Sequence, residues 1–139
     1  MVEFVLQQKK RVLWVGSAGM ANALFSALNP GYPVLGIVGS ISETSRGQVR
    51  VAVEAGAKLV ELNVADLIRG GSIAPVAEEV VERLKLGQDV IVVSAKEQAD
   101  YLDAVDAGKK SGMTRQEVAQ FTQKKLGELS VEILKRAKV

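Results

Sequence analysis

Residues 34–56, V-L-G-I-V-G-S-I-S-E-T-S-R-G-Q-V-R-V-A-V-E-A-G, decide the fold. The stretch opens on a short apolar run, 34–38, of the kind that forms a strand buried on both faces. It breaks at Gly39-Ser40 into small hydroxylated residues: Ser40, Ser42, Thr44 and Ser45. Val49, Ala52, Val53 and Gly56 then recur at helical spacing. Ser42 suits the N-cap of that helix, Glu43 its first turn, and Gly56 its end. The order is strand, hydroxyl-rich turn, helix start. Unpaired N–H groups at a helix start suit an anion such as phosphate, above all beside hydroxyls and a glycine that lets a ligand come close. The same residues also answer a plain structural need, since every strand-to-helix turn wants a cap.

The alternation continues on both sides. Upstream, 11–15 (R-V-L-W-V) reads as a strand, Gly16-Ser17-Ala18-Gly19 as a turn, and 20–28 as a helix stopped by Asn29-Pro30-Gly31. Strand, Gly-x-x-Gly and helix invite a dinucleotide site. Two features reject it: Ala18 stands where the middle glycine is needed, and the next strand ends in Gly39-Ser40 rather than a ribose-binding acid. Downstream, 58–63 reads as a strand and 64–69 as a helical turn closed by Gly70-Gly71. A helix capped by Ser72 follows, with Pro75 in its first turn. Val76, Ala77, Val80, Val81 and Leu84 form its buried stripe, and Glu78, Glu79 and Glu82 its solvated face. Gly87 ends it, and 89–95 is a further strand buried on both faces. Residues 96–112 are polar, with a helical pattern over 99–105. Gly108-Lys109-Lys110-Ser111 reads as a loop with only a faint likeness to a phosphate loop. The last helix, 113–138, is the best signed: Thr114 and Glu117 form a capping box, and Met113 with Val118 a hydrophobic staple. Val118, Phe121, Leu126, Leu129 and Ile133 share its apolar face, and Gly127 weakens it.

Continuous apolar strands between helices imply an α/β fold. The expectation is one domain, 1–139, in three layers, with a mostly parallel sheet of four to five strands and helices on both faces. Ligands of such sheets bind at the carboxyl ends of the strands. Gly16-Ser17 and Gly39-Ser40 both fall at such ends, and neighbouring strands would bring them to one crevice.

Composition narrows the chemistry. The 139 residues are 47% apolar and 24% charged, which is globular rather than disordered. A net charge of +2 gives no reason to expect nucleic acid or a membrane surface as partner. There is no Cys and no His, which excludes thiol catalysis, Ser-His-Asp chemistry and His- or Cys-ligated metal. No apolar run approaches the ~20 residues that span a bilayer, and the start is not a signal peptide. The expected location is therefore cytoplasmic. No residue is assigned a catalytic or metal-ligating role.

At the turn after residue 38 the chain resembles the four-carbon acid sugar kinases. Gly39-Ser40-x-Ser42 followed by Ser45 and Gln48 is similar to that family's G-S-x-S-x-x-T-x-x-Q pattern. Ser45 stands at the Thr position, and Glu43 replaces a common Pro. V-G-S-A-G-M-A at 15–21 resembles the family's G-S-x-G-L-A segment. A-G-A-K-L-V-E-L-N and L-K-L-G-Q-D-V-I-V-V-S-A resemble its following strands. The resemblance implies a kinase of sugar acids such as threonate or erythronate, using ATP and Mg²⁺. It implies that Ser40, with Gly39 beside it, belongs to the nucleotide site; Ser42, Ser45, Gly16 and Ser17 complete the candidate set. An amino-terminal sugar-acid domain would precede Met1, and a Gly-Gly-Asp/Glu-Thr loop would follow Val139. The chain is thus expected to be an incomplete nucleotide-binding domain, not catalytic alone, with the missing kinase domain or a second chain as partner. The competing reading is a non-catalytic module that docks or self-associates through an open sheet edge.

Overall fold

The computed structural model describes residues 31–139. The strand and helix expected over 11–28, with Gly16 and Ser17, lie outside the described residues. The central stretch forms strand β1, Leu35–Val38, and helix α1, Glu43–Glu54. Ser42 is the N-cap of α1, its Oγ accepting from the Ser45 N–H at 3.2 Å. Gly56, at φ +113°, follows the last turn in the left-handed region that glycine enters freely.

Strand β2, Lys58–Glu61, leads to a short helix α2, Val64–Ile68, capped by the Asn63 side chain. Helix α3, Ala74–Lys85, carries the expected stripe: Ala77, Val80, Val81 and Leu84 are buried. Its N-cap is Ile73 rather than Ser72, with Pro75 just behind. Ser72 still accepts the Ala74 N–H at 3.1 Å, so one residue of register separates expectation from structure. Strand β3, Val90–Val93, precedes helix α4, Gln98–Lys110, and helix α5, Arg115–Arg136. The Thr114–Glu117 capping box of α5 is present in both directions, at 2.7 and 3.2 Å.

Two expectations are corrected. Residues 108–110 are the last turn of α4, not a loop. Gly108 is there for packing: a Cβ on it would overlap Cγ2 of Val118 on α5. Residues 34–38 are not buried on both faces, since all four β1 residues are half-buried. Two facts account for that. Within the described residues β1 pairs only with β3, and α1, the helix over its outer face, buries none of its residues.

The three described strands are parallel in the order β1-β3-β2. The register aligns Leu35, Val90 and Lys58 at one end and Val38, Val93 and Glu61 at the other. Asp89 fixes that start, its Oδ1 accepting the Val34 N–H at 2.8 Å and its carbonyl the Lys58 N–H at 2.7 Å. Side chains alternate across the sheet. One face, with Val60, Val90 and Val92, packs under α3 and α5 in the main core, where Leu129 and Ile133 are fully buried. The other face, with Val38, Leu59 and Val93, looks toward α1. A second, smaller core joins Val64 and Ala65 of α2 to Ala104 and Ala107 of α4 and Val118 of α5. The fold is α/β with helices on both faces, as expected, with three strands among the described residues.

Candidate nucleotide site

The carboxyl end of β1 runs straight into the hydroxyl cluster. The Ser40 hydroxyl donates to Ser42 Oγ at 3.2 Å, and the Ser42 hydroxyl to Ser45 Oγ at 2.9 Å. The Ser42 N–H donates to Ser40 Oγ at 3.3 Å. Three of the sequence-derived candidates, Ser40, Ser42 and Ser45, thus form one chain of hydrogen bonds around the start of α1, with Gly39 adjoining. Ser40, Ser42 and Gly39 are exposed, and Ser45 is half-buried. Ser42 caps the Ser45 N–H, which leaves the N–H groups of Glu43 and Thr44 without an intrahelical acceptor. They sit at the positive end of the helix dipole.

Two clefts flank this turn. The first, about 280 Å³, lies between α1 and the sheet. Its floor is apolar, with Val38, Leu59 and Val93 from the strands and Val49 and Val53 from α1. Ser40, Arg46, Arg50 and Lys96 bring polar and cationic groups to it. Arg46 and Lys96 are partly neutralised by Glu43 at 2.7 Å and Glu61 at 3.2 Å. The Arg46 Nε is buried and has no acceptor among the described residues. The second cleft, about 120 Å³, lies on the other side of Gly39, between the end of β3 and helices α4 and α5. Gly39 allows close approach of α5 here, since a Cβ on it would come within 3.1 Å of Leu126 Cδ1.

Reading the sequence alone missed Arg46, Arg50 and Lys96. A signal for the first two was present: they stand four apart on α1, like the Val49–Val53 pair whose face they flank. Among the described residues no group of three carboxylates is placed to hold a metal, and no helix is long and apolar enough to cross a membrane.

The described residues form an open parallel sheet with a serine-rich turn and a helix start at its carboxyl end, an arrangement that suits an anion. The family comparison agrees: the chain belongs to the nucleotide-binding C-terminal domain family, whose model matches residues 35–139. A D-threonate kinase of Salmonella typhimurium is 31% identical over 142 residues, covering 96% of this chain. The alignment takes in 33% of that protein, so the chain spans about a third of its relative's length. The resemblance to the C-terminal nucleotide-binding domain of four-carbon acid sugar kinases is borne out. No solved structure matches the chain significantly.

Proposed function

We propose that this domain forms part of the nucleotide site of an ATP-dependent kinase of four-carbon sugar acids and is not catalytic by itself. The observation that supports this most directly is the convergence of Ser40, Ser42 and Ser45 on the first turn of α1 at the carboxyl end of β1. Phosphoryl transfer is chiefly positioning and charge stabilisation. In this reading the N–H groups of Glu43 and Thr44 and the Ser40 hydroxyl receive phosphate oxygens. Arg46 and Arg50 balance the charge from the first cleft. Mg²⁺ would travel with the nucleotide, since it keeps several waters and binds through phosphates and one or two carboxylates. The acceptor sugar acid, its base and the remaining phosphate contacts belong to parts of the kinase beyond this chain, as the relative's greater length suggests.

Ser40→Ala tests the reading. Losing one hydrogen bond to a charged oxygen, at the low end of about 1.5–3 kcal/mol for an exposed site, weakens ADP binding about tenfold in a calorimetric or NMR titration. Unchanged affinity removes Ser40 from the site.

A second reading, association through a sheet edge, draws on one observation: within the described residues β1 and β2 each pair on one side only. Sedimentation as a monomer at high concentration, with no partner recovered, counts against it.

A further inference from the structure

Helices α3 and α5 lie side by side over the main core, and their outward faces carry opposite charge. On α5 the exposed residues Lys124, Gly127, Val131, Leu134 and Lys135 share one side of the helix by their spacing. On α3 the same spacing puts exposed Pro75, Glu78, Glu82 and, at the C-cap, Leu86 in one row. Charges on the flanks pair within their own helix: Glu79 with Arg83, Lys125 with Glu128, and Glu132 with Arg136. Lys124, Lys135, Glu78 and Glu82, on the outward rows, have no ion pair among the described residues. Between these charges Val131 is 54% exposed and Leu134 56%, and Leu86 is 76% exposed at the end of α3. One exposed leucine is ordinary; three large apolar side chains among unpaired charges on one helix layer fit a partner better than they fit water.

The arrangement of charge says which partner. α3 ends just before β3 starts, so it descends toward the amino ends of the strands. α5 lines the cleft at their carboxyl ends with Val118 and Leu126 and reaches the core with Leu129 and Ile133, so it descends alongside. An acidic row and a basic row thus lie next to each other on one layer. Such a surface is complementary to itself. A two-fold axis running between the helices and parallel to them lays α3 of one copy on α5 of the other, twice over. A two-fold axis across the helices would set lysine on lysine and glutamate on glutamate, which costs several kcal/mol. Gly127 lies inside the basic row with nothing within 4 Å of its Cβ position, so a second helix can come close there. The 12 residues of α3 span about 18 Å, and packed helices sit about 8–10 Å apart. The patch is therefore about 18 Å by 20 Å, at the small end of specific interfaces, which suits a weak dimer.

We propose that the outward face of α3 and α5 is a self-association surface that takes a second copy of this chain in two-fold symmetry. Glu78 and Glu82 of each copy face Lys124 and Lys135 of the other, with Val131, Leu134 and Leu86 filling the space between. The inference does not depend on the nucleotide reading. It also uses a different surface from the edges of β1 and β2, so the two routes to association separate by mutation.

The test is sedimentation equilibrium of the full chain over a wide concentration series, with two charge-reversed variants. The first carries Lys124→Glu and Lys135→Glu, and the second Glu78→Lys and Glu82→Lys. All four positions are exposed, so the fold is kept, and circular dichroism checks that it is. The wild type is expected to pass from monomer to dimer as concentration rises, and to need more protein to do so at high salt. Each variant alone is expected to dimerise at least about tenfold more weakly, because its two rows now carry one sign. An equimolar mixture of the two is expected to recover the dimer, since each supplies the charge that the other lacks. A wild type that stays monomeric throughout the series overturns the proposal. So does a dimer that neither variant weakens, which would place the contact elsewhere, as at a sheet edge. If both variants lose the dimer and their mixture does not recover it, the two-fold pairing of α3 with α5 is wrong.

Discussion

Gly108→Ala should destabilise the domain, although alanine is the better helix former. In an open helix the change gains about 1 kcal/mol. At position 108 the new Cβ overlaps Val118 Cγ2 and lies 3.6 Å from Met113 Cβ. Val118 is 3% exposed and β-branched, so it has little freedom to turn aside. Overpacking of this kind costs about 1–3 kcal/mol, and the tight site puts the cost at the upper end. The net loss is about 2 kcal/mol, or a fall in Tm of about 6–10 °C for a domain of this size. Gly127→Ala is the matched control, since nothing lies within 4 Å of its Cβ position in α5. It should gain about 1 kcal/mol. Urea unfolding followed by circular dichroism, with equal slopes, measures both. Adding Val118→Ala to Gly108→Ala should show coupling, the double variant losing less than the sum of the singles. Stabilisation by Gly108→Ala equal to that by Gly127→Ala would refute the packing account.

Three further outcomes follow from the same structure. Leu129→Ala, at a residue with no exposed surface in the main core, should cost about 2–5 kcal/mol in the same unfolding assay. The Glu117 carboxyl is held below the ordinary glutamate range, first by the Thr114 N–H and then by the Thr114 side chain. A depressed pKa stabilises the fold above the unfolded value, and that contribution is lost as pH falls through the folded value. The stability gap between wild type and Glu117→Gln should therefore be present at neutral pH and close in acid, as read from urea midpoints across a pH series. Last, the purified chain should not turn over ATP with threonate or erythronate; product in a coupled ADP assay would overturn the view that it is incomplete.

The features legible in the sequence were those written locally. Ser42, Gly56, Gly87 and the Thr114–Glu117 box each act on backbone within four residues, so composition and spacing expose them. The stripe from Val76 to Leu84 was legible for the same reason. Gly108 was misread because its partner, Val118, lies across an interhelical contact that no local pattern records. The half-buried state of β1 was hidden too, because burial depends on which strands pair, and pairing is non-local. At the site, the serine cluster was visible as a motif, while the two clefts beside it were not. They exist only where β1, β3, α1, α4 and α5 meet.

The strand order bears on how the chain is made. Among the described residues β3 lies between β1 and β2, so the pairing of both with β3 waits until residues 90–93 are synthesised. Leu35 waits 55 residues for Val90, which at about 5–20 residues per second is about 3–11 s on the ribosome. Some 55 residues of chain must then close before Leu35 meets Val90, a non-local pairing of the kind that slows folding. The described sheet therefore closes on four residues, V-I-V-V, that arrive last and take the middle.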